Sequence, residues 1–413
     1  MAEKSRVDGA SPNCRICGSE IFTMIDLGNV PFANALVNRA DEKVNVFPLA
    51  LNICKKCSTA QLSYCADERE LYKNYLFITP QSNALSDHYE WITKYLEERN
   101  YLSSETKVLE IGSNIGRFLE HIQPRVKSIL GVDPAINIAE MANRRDVPTV
   151  NAFFNAGEAA VLRDQFGVMD LFIARHCFAH NEKPWQMLDG VIAMMHPDSV
   201  LLIENAYFLD TIQKYEFDQI YHEHMYYHTV RSISEIVSKR GLQLVDVIHS
   251  DIHGGTMLYV IKKEKKRVRP NKSVNSFLRA EKNMHDEDFY KNFQEQIERN
   301  KGELMSLLNK LISRGKTIYG YGASAKSTTL VNYYGITNGI VPIVLDSTVT
   351  KQGKYIPLAN IRVVNEQEYL DDPPDYYLLT IWNYKKEIIQ KVRDAGNHHT
   401  KFILPHPEVE IYD

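Results

Sequence analysis

The stretch from Ile203 to Val230, IENAYFLDTIQKYEFDQIYHEHMYYHTV, crowds Glu204, Tyr207, Tyr215, Tyr221, His222, Glu223, His224, Tyr226, Tyr227 and His228 into 25 positions. Folding alone does not call for that density, because each of these side chains needs a partner once buried. A solvated loop would draw on Lys, Ser, Asp and Gly instead. Taken singly, each residue fits a half-exposed aromatic helix with satisfied histidines. Taken together, they can move a proton at neutral pH, the task for which histidine is suited.

A second chemistry lies near the N-terminus. Cys14-Arg-Ile-Cys17 and Cys54-Lys-Lys-Cys57 are two CxxC knuckles separated by 36 residues. Four thiolates at this spacing suit one tetrahedral zinc, which with no open position is structural rather than catalytic. A redox CxxC would occur once, beside a βαβ pattern. The surrounding region reads as turn-rich and poor in strands. Cys65 and Cys177 read as packed thiols.

The elements that must position the proton-transfer run read as a doubly wound α/β fold. A strand from Lys107 enters the turn Glu110-Ile-Gly112-Ser-Asn114-Ile-Gly116 and then a helix. A second strand, Ser128 to Asp133, ends in an acid about 20 residues on, where a carboxylate can accept bonds from ribose hydroxyls. The turn lacks the tight glycine triplet for a pyrophosphate, so it suits a ribose with an uncharged or cationic tail, as in S-adenosylmethionine. Phe153 and Phe154 follow the third strand and could flank an adenine. Further strands at Asp170–Ala174 and Val200–Ile203 alternate with a helix near Trp185 to Met195. The strands at Gln243–Ile248 and Thr256–Ile261 close the sheet as a hairpin through His253-Gly-Gly. Ahead of the first strand, Ser82 to Arg99 has the apolar spacing of an amphipathic helix. Tyr75 and Thr79 lie before it, where they could reach a substrate.

After a basic linker at Lys262–Pro270, a long helical stretch from Lys272 to Ser313 leads to Thr317-Ile-Tyr-Gly-Tyr-Gly322-Ala-Ser324-Ala-Lys326-Ser327 and a strand ending at Asp346. Taken literally this is a dinucleotide fingerprint. Ser324, Lys326 and Ser327, with Lys351 beyond the second strand, instead offer donors for a substrate diphosphate. The expected division is residues 1–70 for zinc, 71–262 for the cofactor and 263–413 for a nucleotide.

Bulk properties bound the rest. The 413 residues are 44% hydrophobic and 24% charged, ordinary for a soluble protein of two to four domains. A net charge of −4 gives no attraction for nucleic acid or membrane. No apolar leader and no membrane-length run is visible, and paired cysteines suit a reduced, cytoplasmic setting.

Together the knuckles with PFANAL between them, EIGSN, Phe178-Ala-His180, the ENAY…FDQIYHEHMYYHT run, His253-Gly-Gly and YGYGASAKS resemble the nucleotide-sugar C-3 methyltransferase family over almost the whole chain. The chain departs from that family's pattern at Ile115, often Asp there, and at His176, often Asn. The resemblance implies a small zinc-binding domain, a central class I (Rossmann-like) methyltransferase domain and a C-terminal Rossmann-like α/β domain. It implies S-adenosylmethionine held by Glu110, Gly112, Asn114, Gly116, Asp133, Phe153 and His176. It implies a dTDP- or GDP-linked 4-keto-6-deoxysugar held by Thr79, Gly322, Ser324, Lys326, Ser327 and Lys351. Cys14, Cys17, Cys54 and Cys57 hold the metal. His224, with a pKa near 7, is the expected base, Tyr221, His180 or Asn181 the enolate donor, Glu223 the group that fixes its neighbours, and Tyr75 a further contact. The product is a branched deoxysugar, and the enzyme a monomer. The rival readings are a sugar N- or O-methyltransferase, and an NAD-dependent nucleotide-sugar oxidoreductase using Gly320-x-Gly322.

Overall fold

The structure, a computed structural model, describes residues 12–67, 71, 78–79, 82–265, 269–369 and 373–413. Tyr75 lies outside the described residues. Among the described residues no helix is long and apolar enough to cross a membrane.

The N-terminal part is not poor in strands, which corrects the sequence reading. β1 (Ile21–Val30), β2 (Phe47–Cys54) and β3 (Ala60–Leu62) form an antiparallel sheet. β2 is buried from Leu49 to Cys54 and so lacks the alternation of a half-exposed strand. β1 shifts register between Thr23 and Ile25 and between Asp26 and Asn29, which breaks its period as well.

The central sheet holds β4 (Lys107–Ile111), β5 (Ser128–Asp133), β6 (Thr149–Asn151), β7 (Met169–Arg175) and β8 (Met195–Ala206), all parallel. Between β8 and the rest of this sheet the chain forms a two-residue strand, β9 (Tyr226–Tyr227), which pairs not here but with β3. The proton-transfer run therefore supplies the fourth strand of the N-terminal sheet. β10 (Leu242–Ser250) and β11 (Thr256–Lys263) finish the central sheet in the order β10-β11-β8-β7-β4-β5-β6, with β11 antiparallel to both neighbours. The order reverses at β4, so the crevice beyond the carboxyl ends of β4 and β7 is where a ligand binds. The β10–β11 hairpin presses onto the run itself. A Cβ on Gly254 would lie 2.4 Å from Glu216 Oε1, and one on Gly255 1.8 Å from Asp210 Oδ2. Only glycine permits that approach, and both glycines also hold positive φ, 97° and 132°.

The expected long helix at Lys272–Ser313 is two helices, Lys272–Ala280 and Lys291–Ser313, with a 3₁₀ turn at Glu287–Tyr290 between them. The break has a cause. Glu281 turns inward, fully buried, and accepts bonds from Val230 N at 2.7 Å and Arg231 N at 2.9 Å. It thus satisfies the free amides at the start of helix Val230–Ser238, a bond worth about 1 kcal/mol that local periodicity cannot foresee.

The C-terminal sheet comprises β12 (Ile318–Tyr321), β13 (Ile343–Leu345), β14 (Tyr355–Ile356), β15 (Ile361–Val364), β16 (Tyr376–Leu379), β17 (Lys401–Leu404) and β18 (Glu410–Tyr412). Its order is β14-β15-β13-β12-β16-β17-β18, parallel through the five central strands. It too reverses at its first strand, which ends in the Gly322 turn.

Candidate active site

The β4 turn is held open by backbone conformations that favour glycine. Gly112 has φ 64° and Gly116 φ 76°, and a Cβ on Gly112 would fall 2.6 Å from Cys177 Cβ. Asn114, also at positive φ, 51°, donates its backbone N–H to Asp133 Oδ2 at 2.9 Å, while Ala135 N donates to Oδ1 at 3.0 Å. Asp133 is buried, which pushes its pKa up to about 6 against those two bonds. Each oxygen keeps a lone pair for a ribose hydroxyl. Of the two phenylalanines, Phe154 is core and Phe153 stays 38% exposed at the rim of the turn. An acid, an open glycine turn and an uncovered aromatic fit a nucleoside.

Glu110 is held by an arginine. Its carboxylate, 1% exposed, accepts from Arg175 Nε at 3.0 Å, and that guanidinium lies 4.6 Å from both the Tyr89 and Phe118 ring centroids. Burial raises Glu110 to about 7 despite the arginine. Its Oε1 is thus engaged beneath the turn, while Oε2 is buried with no protein hydrogen-bond partner. Thr79 is displaced. Its N–H donates to Asn114 Oδ1 at 2.9 Å and its carbonyl accepts from Arg117 Nε at 3.4 Å, which sets it on the cofactor turn rather than beside the C-terminal residues.

The expected base, His224, and its neighbours lie beyond β7 and β8. His224 Nδ1 lies 3.0 Å from the Gln219 carbonyl, which can only accept, so Nδ1 carries the hydrogen and Nε2 the lone pair. Tyr221 Oη then donates to Nε2 at 2.8 Å. The His180 ring stands 5.0 Å from that of His224. Burial, and next His180, hold His224 well below the ordinary histidine value, where a value near 7 is expected from the chemistry alone. The imidazole is therefore wholly in its base form at neutral pH. Burial likewise lowers His180 to about 4. Asn181 caps the turn after His180 and accepts from Lys183 N at 2.9 Å.

Glu223 does not serve this pair. It is buried and accepts from Asn34 Nδ2 at 2.8 Å, so it fastens the run to PFANAL instead of orienting His224. His222 points the same way, into a box of Phe32, Phe47 and Tyr64, with Nε2 3.3 Å from the Pro48 carbonyl. His228 is fully buried beside Phe178 and Tyr226.

His176, expected at the cofactor, lies beside a histidine to which no role was assigned. His176, at φ 52°, faces His253, at φ 57°, with ring centroids 5.4 Å apart, and His253 Nδ1 meets Tyr384 Oη of the C-terminal part at 3.2 Å. Burial lowers both histidines. Non-glycine residues at positive φ concentrate where a structure holds reactive groups in place. That conformation is invisible in sequence, and only the His253-Gly-Gly signature hinted at it.

In the C-terminal turn the expected donors divide. Lys326 Nζ is buried without a hydrogen-bond partner, 5.3 Å from the Trp382 ring centroid. Its charge acts to lower His224 and His253, and also Glu216 and Asp218. Ser324 and Ser327 are engaged by their own helix. They form a reciprocal capping box on helix Ala325–Tyr334, and Ser327, fully buried, also donates to the Gly322 carbonyl at 2.7 Å. Gly322 serves close packing, because a Cβ there would lie 2.4 Å from Ile381. Lys351 donates to the Ala323 carbonyl at 2.9 Å and lies 3.7 Å from Asp346. Asp346 also accepts from Ala323 N and Thr348 N, both at 2.8 Å. Asp346 thus differs from Asp133 in having a lysine beside its carboxylate.

The four knuckle sulfurs lie within 4.8 Å of one another, with Cys14–Cys57 at 3.6 Å and Cys17–Cys54 at 3.4 Å. A tetrahedral zinc with bonds of about 2.3 Å has sulfur–sulfur edges of about 3.8 Å. Lys56 N and Cys57 N both donate to Cys54 Sγ at 3.4 Å, as suits a thiolate ligand. The site fits zinc.

Sheet order and cradle define a class I S-adenosylmethionine-dependent methyltransferase that carries a structural zinc. Residues 84–247 match a methyltransferase domain family, residues 14–72 a zinc binding domain family, and residues 251–407 the C-methyltransferase C-terminal domain. The C-methyltransferase NovU of Streptomyces niveus is 30% identical over 403 residues, 96% of either chain. The chain belongs to this C-methyltransferase family. Solved structures similar to it include the YcgJ protein of Bacillus subtilis, at 14% identity and TM-score 0.34 over 43% of this chain and 98% of that one. N-methyltransferase NodS of Bradyrhizobium japonicum aligns at 13% identity and TM-score 0.32, over 44% and 96%.

Proposed function

We propose that the enzyme methylates C-3 of a nucleotide-linked 4-keto-6-deoxysugar through an enolate, with His224 as the base, and so serves branched-deoxysugar formation. The observation that carries this reading is a neutral imidazole whose Nε2 lone pair is met by the Tyr221 hydroxyl, together with the buried Lys326 ammonium that has no hydrogen-bond partner. Enolisation needs the first, and a diphosphate tether would occupy the second. The curated relative, a C-methyltransferase by name, supports the carbon acceptor.

In this reading the 4-keto group acidifies the C-3 proton, which passes to His224 Nε2 while the C–H electrons move into the carbonyl. Tyr221, freed from Nε2, donates to the enolate oxygen, with His180 and Asn181 beside it. S-adenosylmethionine supplies an activated methyl group, to which C-3 bonds as the sulfonium becomes a thioether. The division at residues 70 and 262 belongs to this proposal, with the C-terminal part holding the nucleotide, dTDP or GDP, in a cytoplasmic monomer.

The test is a panel of dTDP- and GDP-linked 4-keto-6-deoxysugars incubated with S-adenosylmethionine and read by mass. One methyl gained on a 4-keto member supports the reading, and methylation only of hydroxyl or amino sugars without the ketone overturns it. Lys326→Met should raise KM for the accepted member by about 30-fold, since a buried charge-assisted contact is worth about 2 kcal/mol. Steady-state kinetics read it, with S-adenosylhomocysteine affinity unchanged. The pH profile follows from burial. A base whose pKa is held low stays deprotonated as the pH falls, so kcat/KM should remain level down through 6.5, the ordinary histidine value, and fail only below it.

A further inference from the structure

We propose that Arg15, inside the first zinc knuckle, is a positioning residue for His224, so that the zinc cluster sets the geometry of the base as well as the fold of its own sheet. This rests on the reading of His224 as the base.

The two knuckles use their middle residues differently. Lys55 is 45% exposed and pairs with surface Glu20, which contributes about 1 kcal/mol at most. Arg15 turns inward. Its guanidinium bonds the Leu62 carbonyl and lies 5.6 Å from the Tyr226 ring centroid, with Nη1 buried and unpartnered. Its backbone N–H donates to Gln61 Oε1 at 2.9 Å, and the fully buried Gln61 donates in turn to the Asn13 carbonyl at 3.3 Å. Covering a sheet would not require a half-buried guanidinium with one shielded nitrogen there.

Each of those contacts leads to the base. Gln61 is the β3 residue paired with Tyr226, and Ala60 is paired with Tyr227. Leu62 N donates to the carbonyl of Met225, the residue after His224, at 3.0 Å. Tyr227 Oη donates at 2.7 Å to the Gln219 carbonyl, the same oxygen that fixes the His224 tautomer. Tyr226 Oη donates at 2.8 Å to the Glu182 carbonyl, which anchors the turn carrying His180 and Asn181. A second tie, Lys239 Nζ to the Ile16 carbonyl at 2.7 Å, clamps the knuckle to helix Val230–Ser238 from the other side. The knuckle thus bears on both ends of the Tyr221–His224 pair. Loosening Arg15 frees β9 to shift, and a misplacement near 1 Å costs a base much of its rate.

The test is nitrogen-15 NMR of the His224 ring in the full chain, with no substrate needed. Zinc content and S-adenosylhomocysteine binding are measured on the same samples. Arg15→Met should keep zinc and S-adenosylhomocysteine affinity yet convert the Nδ1–H signal of His224 to a tautomer mixture, with kcat on the accepted sugar down about tenfold and KM unchanged. Arg15→Lys should restore most of both. Should Arg15→Met fold poorly, Tyr226→Leu removes the contacted ring without touching the knuckle and should give the same signature. Unchanged His224 signals in either folded, zinc-loaded variant overturn the proposal. If the signals shift but His224→Asn retains turnover, the coupling stands and the base assignment fails.

Discussion

Replacing His224 by Asn should lower kcat by about 10³-fold, within the 10²–10⁴ range of a positioned base, and abolish exchange of the C-3 hydrogen with solvent. Asparagine can still donate to the Gln219 carbonyl, so the loop keeps its anchor while losing a basic nitrogen. Cofactor affinity should not move, because Asp133 and the Gly112–Gly116 turn lie on other strands. Quench-flow turnover and calorimetry with S-adenosylhomocysteine separate the two effects. Tyr221→Phe should be milder, about 10²-fold, since it removes one donor to the enolate and leaves the lone pair on Nε2. If His224→Asn and His224→Ala both turn over near the native rate, the base lies elsewhere.

Removing the zinc should have the other large effect. Cys54 is fully buried at the end of β2, and a structural zinc site supplies about 10 kcal/mol or more, comparable to the whole stability of a domain. Cys54→Ser, or a strong chelator, should therefore unfold β1–β3. With them go the pairing to Tyr226–Tyr227, the box around His222 and the bond from Asn34 to Glu223. Methyl transfer should fall by at least about 10²-fold, as expected when a base loses its support. S-adenosylhomocysteine binding should survive, because its cradle is built from β4, β5 and β6. Metal analysis, circular dichroism and calorimetry on one preparation check all three statements. Full activity in a zinc-free sample would contradict them.

What could be read from the sequence was local. Strand, glycine turn, helix and second-strand acid follow one another within a few dozen residues, so both Rossmann-like sheets were legible, as were the four cysteines by spacing. What was illegible was partnership at a distance. Tyr226–Tyr227 is too short to read as a strand and gains its pairing from β3 far upstream. Glu223 stands one residue from His224 yet bonds Asn34, and Glu281 breaks an apparent helix to cap another. Ser324 and Ser327 show a second difficulty. Hydroxyls three residues apart at a helix start serve a phosphate or a capping box equally well in sequence, and here the helix takes both. Nothing nearby in sequence announces Arg175 as the partner of Glu110 either.

The central claim is that a carbon beside a ketone receives the methyl group. The most direct measurement is to supply S-adenosylmethionine with a carbon-13 methyl and a 4-keto-6-deoxysugar nucleotide, and then locate the label by NMR. A methyl singlet correlated with C-3 and with the C-4 carbonyl, on a carbon that has lost its hydrogen, is the result expected. A label attached through oxygen or nitrogen, or on a carbon remote from the ketone, would contradict it.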